Sequence, residues 1–440
     1  MSNPNSGSRK SIGLVAAVSI GVGGMIGAGI FSILGVGAEI AGNAVYISFM
    51  LAGMVALFCA YTYAKLGATF PSAGGPVEFL VRGFGSGIVS GGFNILLWVG
   101  YVFALALYAR AFASYAVAFF PGQHSDFLLY VFINGIVLLF VLINAIGAGA
   151  VGRSEIFIVG VKLVILIVFI VIGLFFIQPE LLAPAEFPGS MNLLFAAGIL
   201  FLGYEGFGLI TNAAEDMNEP RKTLPRALYL SIAIVIAVYV LVAFTVVGNL
   251  DIAGITAAKD YALAAAAKPF LGNIGFSIMA VGALFSTASA INATLYGGAN
   301  VSYVLAKKGQ LPAQFNRKAW HGSKEGLYIT AAMVLLFANL FQLEGIAMLG
   351  SAAFLLIYGS VCVAHMKLRR QTGGKTYIIL ASILLNLATF VFLVYFLWQN
   401  SVATLIILIA IILLCFLAEA VLQRITGRRM VCRSGRIHYW

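Results

Sequence analysis

The chain has 440 residues, of which 62% are hydrophobic and only 9% charged, with a formal net charge of +11. No water-soluble domain keeps so little charge over so long a stretch, so the composition places the protein in a lipid bilayer as an all-α polytopic chain. The basic residues gather between apolar stretches instead of forming one soluble patch, which excludes nucleic acid as a partner. The polar start MSNPNSGSRK lacks a cleavable signal pattern and leads into a first helix that stays. Cys59, Cys362, Cys415 and Cys432 lie in apolar stretches or the C-terminal tail, at spacings that predict neither a disulfide nor a metal cluster.

In chain order, hydropathy and helix breakers predict membrane spans at about 11–36, 43–68, 86–119, 127–150, 154–177, 191–217, 226–249, 272–306, 326–343, 345–368, 376–398 and 401–423. A polar tail, 1–10, precedes them and a basic tail, 424–440, follows. Two segments are too polar or too short to cross. FPSAGGPVEFLVRGFGS (70–86) reads as a re-entrant or surface helix, and AGITAAKDYALAAAAKPFLG (253–272) as a short helix on the other membrane face. Of the 26 basic residues, all but Arg110, Lys162, Lys259 and Lys268 then fall on one side. The positive-inside rule makes that side cytoplasmic and puts both termini there, in a plasma-membrane protein.

One basic residue breaks the pattern. Lys162 interrupts IFIVGVKLVILIVFIVIGLFFI (156–177), where every other side chain is apolar or glycine. An ammonium inside a bilayer costs about 2.5–3.5 kcal/mol on insertion scales, so a partner, a wet cavity or loss of the proton must offset it. Snorkelling is the bland alternative, because the residue lies only about 9 Å inside the span.

Two helices carry unusual glycine. The first span contains GVGGMIGAGIF (21–31) and the sixth FLGYEGFGLI (201–210), the latter with Glu205 among its glycines. Glycine permits helix rupture, and close helix packing through small residues is the competing meaning. The two segments open matching blocks of five spans that run in opposite senses. Interrupted segments at such matched positions point to a binding site between inverted repeats, 11–177 and 191–368. A rupture near 27–29 would offer the N–H groups of Gly27, Ala28 and Gly29 to a carboxylate. A second rupture near 203–208 would join the carbonyl of Met25 with those of Ile199, Leu202 and Gly203 around an ammonium. That pair of charges is the backbone of a free α-amino acid, and Glu205 beside it is either a substrate contact or a proton or gating group.

GVGGMIGAGIF, PSAGG after the second span, LFLGYEGFGLITNAAEDMNEPRKTLPRA and GALFSTASAINATLYGGANVSYVLAKKGQLP resemble the amino acid–polyamine–organocation superfamily of transporters. Within it the chain looks most similar to archaeal and bacterial proton-coupled transporters of broad amino-acid specificity, through Lys162, ALAAAAKPFLGNIGF and EGLYIT. The resemblance implies a LeuT-type 5+5 inverted repeat plus two C-terminal helices, 376–423, twelve transmembrane helices in all. It implies sodium-independent, proton-coupled uptake by alternating access, with protons as the coupling ion and no cofactor. It further implies that Lys162 replaces the bound sodium of relatives, donating to the carbonyl of Gly23 and to Ser286, with Thr287 as the adjacent alternative. Back-bonding to their own helix is the ordinary role of such hydroxyls. Phe201 and Tyr204 are gate candidates whose competing role is packing. Glu219 stands where the family loop motif has Asn before proline.

Other classes fit less well. An exchanger or a sodium-coupled symporter would share the fold. A non-transporting nutrient receptor would carry a signalling domain. An enzyme would need a nucleophile–base pair or metal ligands, and no HExxH or GxSxG motif occurs. Free amino acids and the bilayer are the expected partners; oligomeric state is open, with a monomer sufficient.

Overall fold

The computed structural model describes residues 12–72, 74–120, 122, 125–146, 151–183, 187–307, 325–426, 431–433 and 436–438. Helix α1 (Leu14–Met25) and α2 (Ala28–Ala41) lead through a 3-10 corner into α3 (Val45–Thr69). After them come α4 (Pro76–Phe84), α5 (Ile88–Val117), α6 (Ser125–Ile146) and α7 (Val151–Leu174). The second half runs α8 (Ser190–Leu200), a 3-10 stretch Phe201–Phe207, α9 (Gly208–Asn212) and α10 (Pro220–Asn249). Short helices α11 (Ile252–Ala258) and α12 (Ala262–Ala265) precede α13 (Lys268–Lys307), α14 (Glu325–Leu340), α15 (Leu343–Thr372), α16 (Thr376–Asn400) and α17 (Val402–Thr426). A small antiparallel hairpin, β1 (Val431–Arg433) with β2 (Arg436–His438), lies in what reads from sequence as a basic tail.

Among the described residues, ten helical stretches are long and apolar enough to cross a membrane by length and composition. The first, Leu14–Thr69, has 56 residues, more than one crossing can use, and turns at Gly42 with φ 55°. Helix α14, with 16 residues, is apolar but shorter than those ten. Burial sorts these helices into layers. The apolar windows of α5, of α8–α9 and of α15 are each 83% buried, whereas those of α6, α16 and α17 are each 22% buried. The first group is therefore a core of helices inside a ring that offers leucine, isoleucine and phenylalanine to lipid, as a membrane fold requires.

Both segments expected not to cross are helical. Helix α4 starts at Pro76, carries Glu78 in its first turn and Arg82 in its last, and ends at Gly85 with φ 77°. Those are favourable start, dipole and stop signals. Its residues Pro76–Val81 are buried, so α4 enters the protein instead of lying on its surface. The 253–272 segment holds α11, α12 and the first turn of α13, not one helix. Lys259, with φ 34°, turns the chain between α11 and α12, a conformation in which a non-glycine residue cannot extend an α-helix.

Candidate functional site

The first span is broken, one to two residues before the expected 27–29. Helix α1 ends at Met25, Ile26 has ψ 57°, Gly27 takes φ −103° and ψ −108°, and α2 restarts at Ala28. Terminal carbonyls of α1 and the first N–H groups of α2 lose helical partners there. Side chains from three other helices supply donors to those carbonyls. Lys162 of α7, 2% exposed, donates from Nζ to Gly23 O at 3.0 Å. Tyr239 of α10 donates to Met25 O at 2.5 Å, and Ser286 of α13 to Ile26 O at 2.8 Å. Ser286 thus serves the break itself, three carbonyls beyond the one the lysine meets. The Thr287 hydroxyl turns back on its own helix, to Ala283 O at 2.7 Å and Leu284 O at 3.2 Å.

The sixth span corrects the expectation of a second rupture. Residues 201–207 keep right-handed helical continuity, tightened into 3-10 winding between α8 and α9. The reason is packing. In a 3-10 helix residues three apart eclipse, so the segment sorts into three faces. Gly203 and Gly206 face the first span: a Cβ on Gly206 would lie 2.3 Å from the carbonyl carbon of Gly24, and one on Gly29 would lie 2.9 Å from the Cα of Gly203. Small residues here let two backbones touch, the competing meaning of those glycines.

The second face is Phe201, Tyr204 and Phe207. Phe201 meets Tyr358 edge-on at 5.8 Å, and Phe207 meets Tyr63 at 5.3 Å. Tyr204 donates to Phe49 O at 2.9 Å and lies 5.1 Å from the Tyr239 ring. Both gate candidates are fully buried against α3, α10 and α15.

The third face is Leu202, Glu205 and Gly208. Leu202 packs against Gly350 of α15, and buried Glu205 accepts from the Tyr108 hydroxyl of α5 at 3.2 Å. Continuous winding changes which carbonyls are offered. Ser351 donates to Gly198 O at 2.5 Å, Tyr358 to Glu205 O, and Tyr239 to Gly203 O at 3.0 Å. Ile199 is buried in the last turn of α8.

The Tyr239 hydroxyl therefore meets one carbonyl from each span, Met25 and Gly203, two of the oxygens expected to surround an ammonium. Sequence reading missed Tyr239, Tyr108, Ser351 and Tyr358. Each is one polar tip in an apolar helix, and the chain has 18 tyrosines with no local pattern to rank them. The glycines, Lys162 and Glu205 were visible because each violates the composition of its own span.

The arrangement is a glycine-lined crossing of two helices, with exposed backbone dipoles, a buried cation on one side of α1 and a buried carboxyl on another. Residues 12–417 match the family model described as Amino acid permease. The chain belongs to the amino acid permease family. It is a multi-pass membrane protein of amino-acid transport in the amino acid–polyamine–organocation superfamily, a class of transporters and not of enzymes. Similar chains include an uncharacterized protein of Methanocaldococcus jannaschii, 46% identical over 420 residues, covering 95% of this permease and 97% of that protein. The inner membrane transport protein YbaT of Escherichia coli is 34% identical over 425 residues, covering 96% and 99%. The methylthioribose transporter of Bacillus subtilis is 27% identical over 373 residues, covering 79% of each chain. Among the described residues of this permease, no group of three His, Cys, Asp or Glu side chains could hold a metal ion.

Proposed function

We propose that this permease takes up amino acids of broad side-chain type by proton-coupled, sodium-independent alternating access. The observation that carries the reading is the 3.0 Å bond from buried Lys162 to Gly23 O, on the half-helix whose end forms the break. A fixed ammonium between α1 and α7, with Ser286 of α13 three carbonyls away, stands where a bound cation would join the same three helices. Twelve crossings, in two inverted repeats of five plus two C-terminal helices, with both termini cytoplasmic, complete the reading.

In the closed arrangement the charged lysine ties α1 to α7. When α1 swings away, the ammonium loses its carbonyl inside the membrane, where an unpartnered charge is costly. Loss of the proton to the cytoplasm removes that cost, and the neutral amine permits the return. One proton moved down 100 mV supplies about 2.3 kcal/mol, close to fiftyfold accumulation of a neutral solute.

The substrate carboxylate goes to the N–H groups of Gly27, Ala28 and Gly29 at the start of α2, where the helix dipole is positive. The α-ammonium replaces the Tyr239 hydroxyl at Met25 O and Gly203 O, with Glu205 and the carbonyls of Ile199 and Leu202 nearby. Backbone recognition of both charged groups leaves the side chain little constrained, which is the basis for breadth. Uptake into proteoliposomes under an imposed pH gradient tests the reading. Accumulation that follows the proton gradient and ignores sodium is expected; stimulation by a sodium gradient would sink it.

A further inference from the structure

Helices α3 and α15 run side by side in the same direction, and their seam carries chemistry that the transport mechanism leaves unused. Thr62 Oγ1 of α3 lies 3.1 Å from His365 Nδ1 of α15, and the rings of Tyr63 and Tyr358 meet edge-on at 5.1 Å. Residues three apart share a helix face. Three residues before Thr62 is Cys59, and three before His365 is Cys362, so the same stripe brings two thiols together. Both cysteines are 0% exposed, and their thiols share a side-chain hydrogen bond. From a third helix, α16, Asn386 Nδ2 donates to Cys59 Sγ at 2.9 Å.

Both thiols are free. Alanine or valine would fill such a seam without drawing a carboxamide onto a sulfur. An N–H aimed at sulfur stabilises the negative charge that builds there when a thiol acts as a nucleophile. The seam also lies where it matters for the site. Helix α15 carries Ser351 and Tyr358, which donate to Gly198 O and Glu205 O of the sixth span, and Phe49 O of α3 accepts from Tyr204. The two helices are thus two walls holding the 3-10 stretch that touches the broken first span.

We propose that Cys59 and Cys362 are a reversible oxidation site, at which hydrogen peroxide makes a disulfide that bolts α3 to α15 and arrests transport. Peroxide is small and uncharged, so it suits a thiol pair buried from larger disulfide reagents. Cys59 sulfur, aided by Asn386, loses its proton and attacks one peroxide oxygen. The O–O bond breaks, the other oxygen leaves as water with that proton, and Cys59 becomes a sulfenic acid. Cys362 sulfur then attacks Cys59 sulfur; the S–S bond forms, the S–O bond breaks, and the hydroxyl leaves as water with the Cys362 proton. The pair is oxidised by two electrons and the peroxide reduced by two. Arrest rests on alternating access, in which the walls of the route shift against one another; formation of the disulfide does not.

The test uses the permease with Cys415→Ala and Cys432→Ala, which leaves Cys59 and Cys362 as its thiols. Reconstituted in liposomes, it is treated with hydrogen peroxide. Peptide mapping by mass spectrometry reads the Cys59–Cys362 link, and counterflow of a radiolabelled amino-acid mixture, without a pH gradient, reads transport. The disulfide forms, counterflow falls to background, and dithiothreitol reverses both. Cys59→Ala and Cys362→Ala, made separately, keep counterflow and lose sensitivity to peroxide. Treated protein that lacks the disulfide, or holds it and still transports at the untreated rate, overturns the proposal. Equal inhibition in Cys59→Ala overturns it too. Counterflow needs no proton gradient, so failure of proton coupling leaves these readings intact. Should an alanine variant fail to fold, the corresponding serine variant gives the same comparison.

Discussion

Lys162 Nζ lies 3.0 Å from the carbonyl oxygen of Gly23, across 139 residues of sequence and between α7 and the half-helix α1. If that contact couples transport to protons, Lys162→Ala abolishes gradient-driven accumulation and leaves amino-acid binding in place. The roughly fiftyfold accumulation available from 100 mV then collapses toward unity. Radiolabelled uptake with and without a pH step, paired with a thermal-shift titration, separates lost coupling from lost folding.

Tyr239 joins the two spans by one hydroxyl. Tyr239→Phe removes the one buried hydroxyl donor that Met25 O and Gly203 O share, and leaving a buried acceptor unmet costs about 1–3 kcal/mol. The substrate-free protein therefore melts earlier. If an α-ammonium competes for the same oxygens, added amino acid protects the variant more than the parent. A variant as stable as the parent, with unchanged protection, would contradict the arrangement.

Glycines at the crossing and glycines elsewhere respond in opposite ways to the same methyl group. Gly206→Ala drives its Cβ into the Gly24–Met25 backbone, which cannot yield as a side chain would, and costs about 3 kcal/mol or more. Gly160, in α7 two residues from Lys162, has nothing within 4 Å of its Cβ position. Gly160→Ala should gain about 0.5–1 kcal/mol from helix propensity and keep full uptake. Melting curves of the two variants decide it.

The segment between α11 and α12 carries a pH dependence of its own. Burial pushes the Asp260 carboxyl above its ordinary value of 3.8, against the Ser114 hydrogen bond and the charges of Arg110 and Lys259, with Glu344 adding to the rise. A carboxyl raised in the folded state stabilises it most below the unfolded value, and that contribution is lost as pH rises through the folded one. Thermal stability of the parent should therefore fall as pH climbs above the ordinary aspartate range. Asp260→Asn, which still accepts from Ser114, flattens that part of the profile; an unchanged slope would exclude Asp260 as its source.

Much of the architecture was legible along the chain. Long apolar runs give helices at the expected places, Gly27 marks the break in the first span, and Lys162 and Glu205 stand out because water, not lipid, is their ordinary solvent. Gly203 and Gly206 were legible only as glycines. Whether they rupture a helix or let one touch its neighbour depends on Gly24 and Gly29, which lie 174 or more residues away. Tyr239 and Lys259 were invisible as site residues for the same reason. Hydropathy and helix periodicity are properties of neighbours in sequence, whereas a hydroxyl or an ammonium acquires its role from whichever carbonyl or carboxylate folding brings within 3 Å. Composition and spacing thus decided that the chain spans a membrane and breaks its first helix. Packing alone decided that the sixth span stays wound, that a tyrosine bridges both, and that Lys259 pairs with carboxylates of α2 and α15.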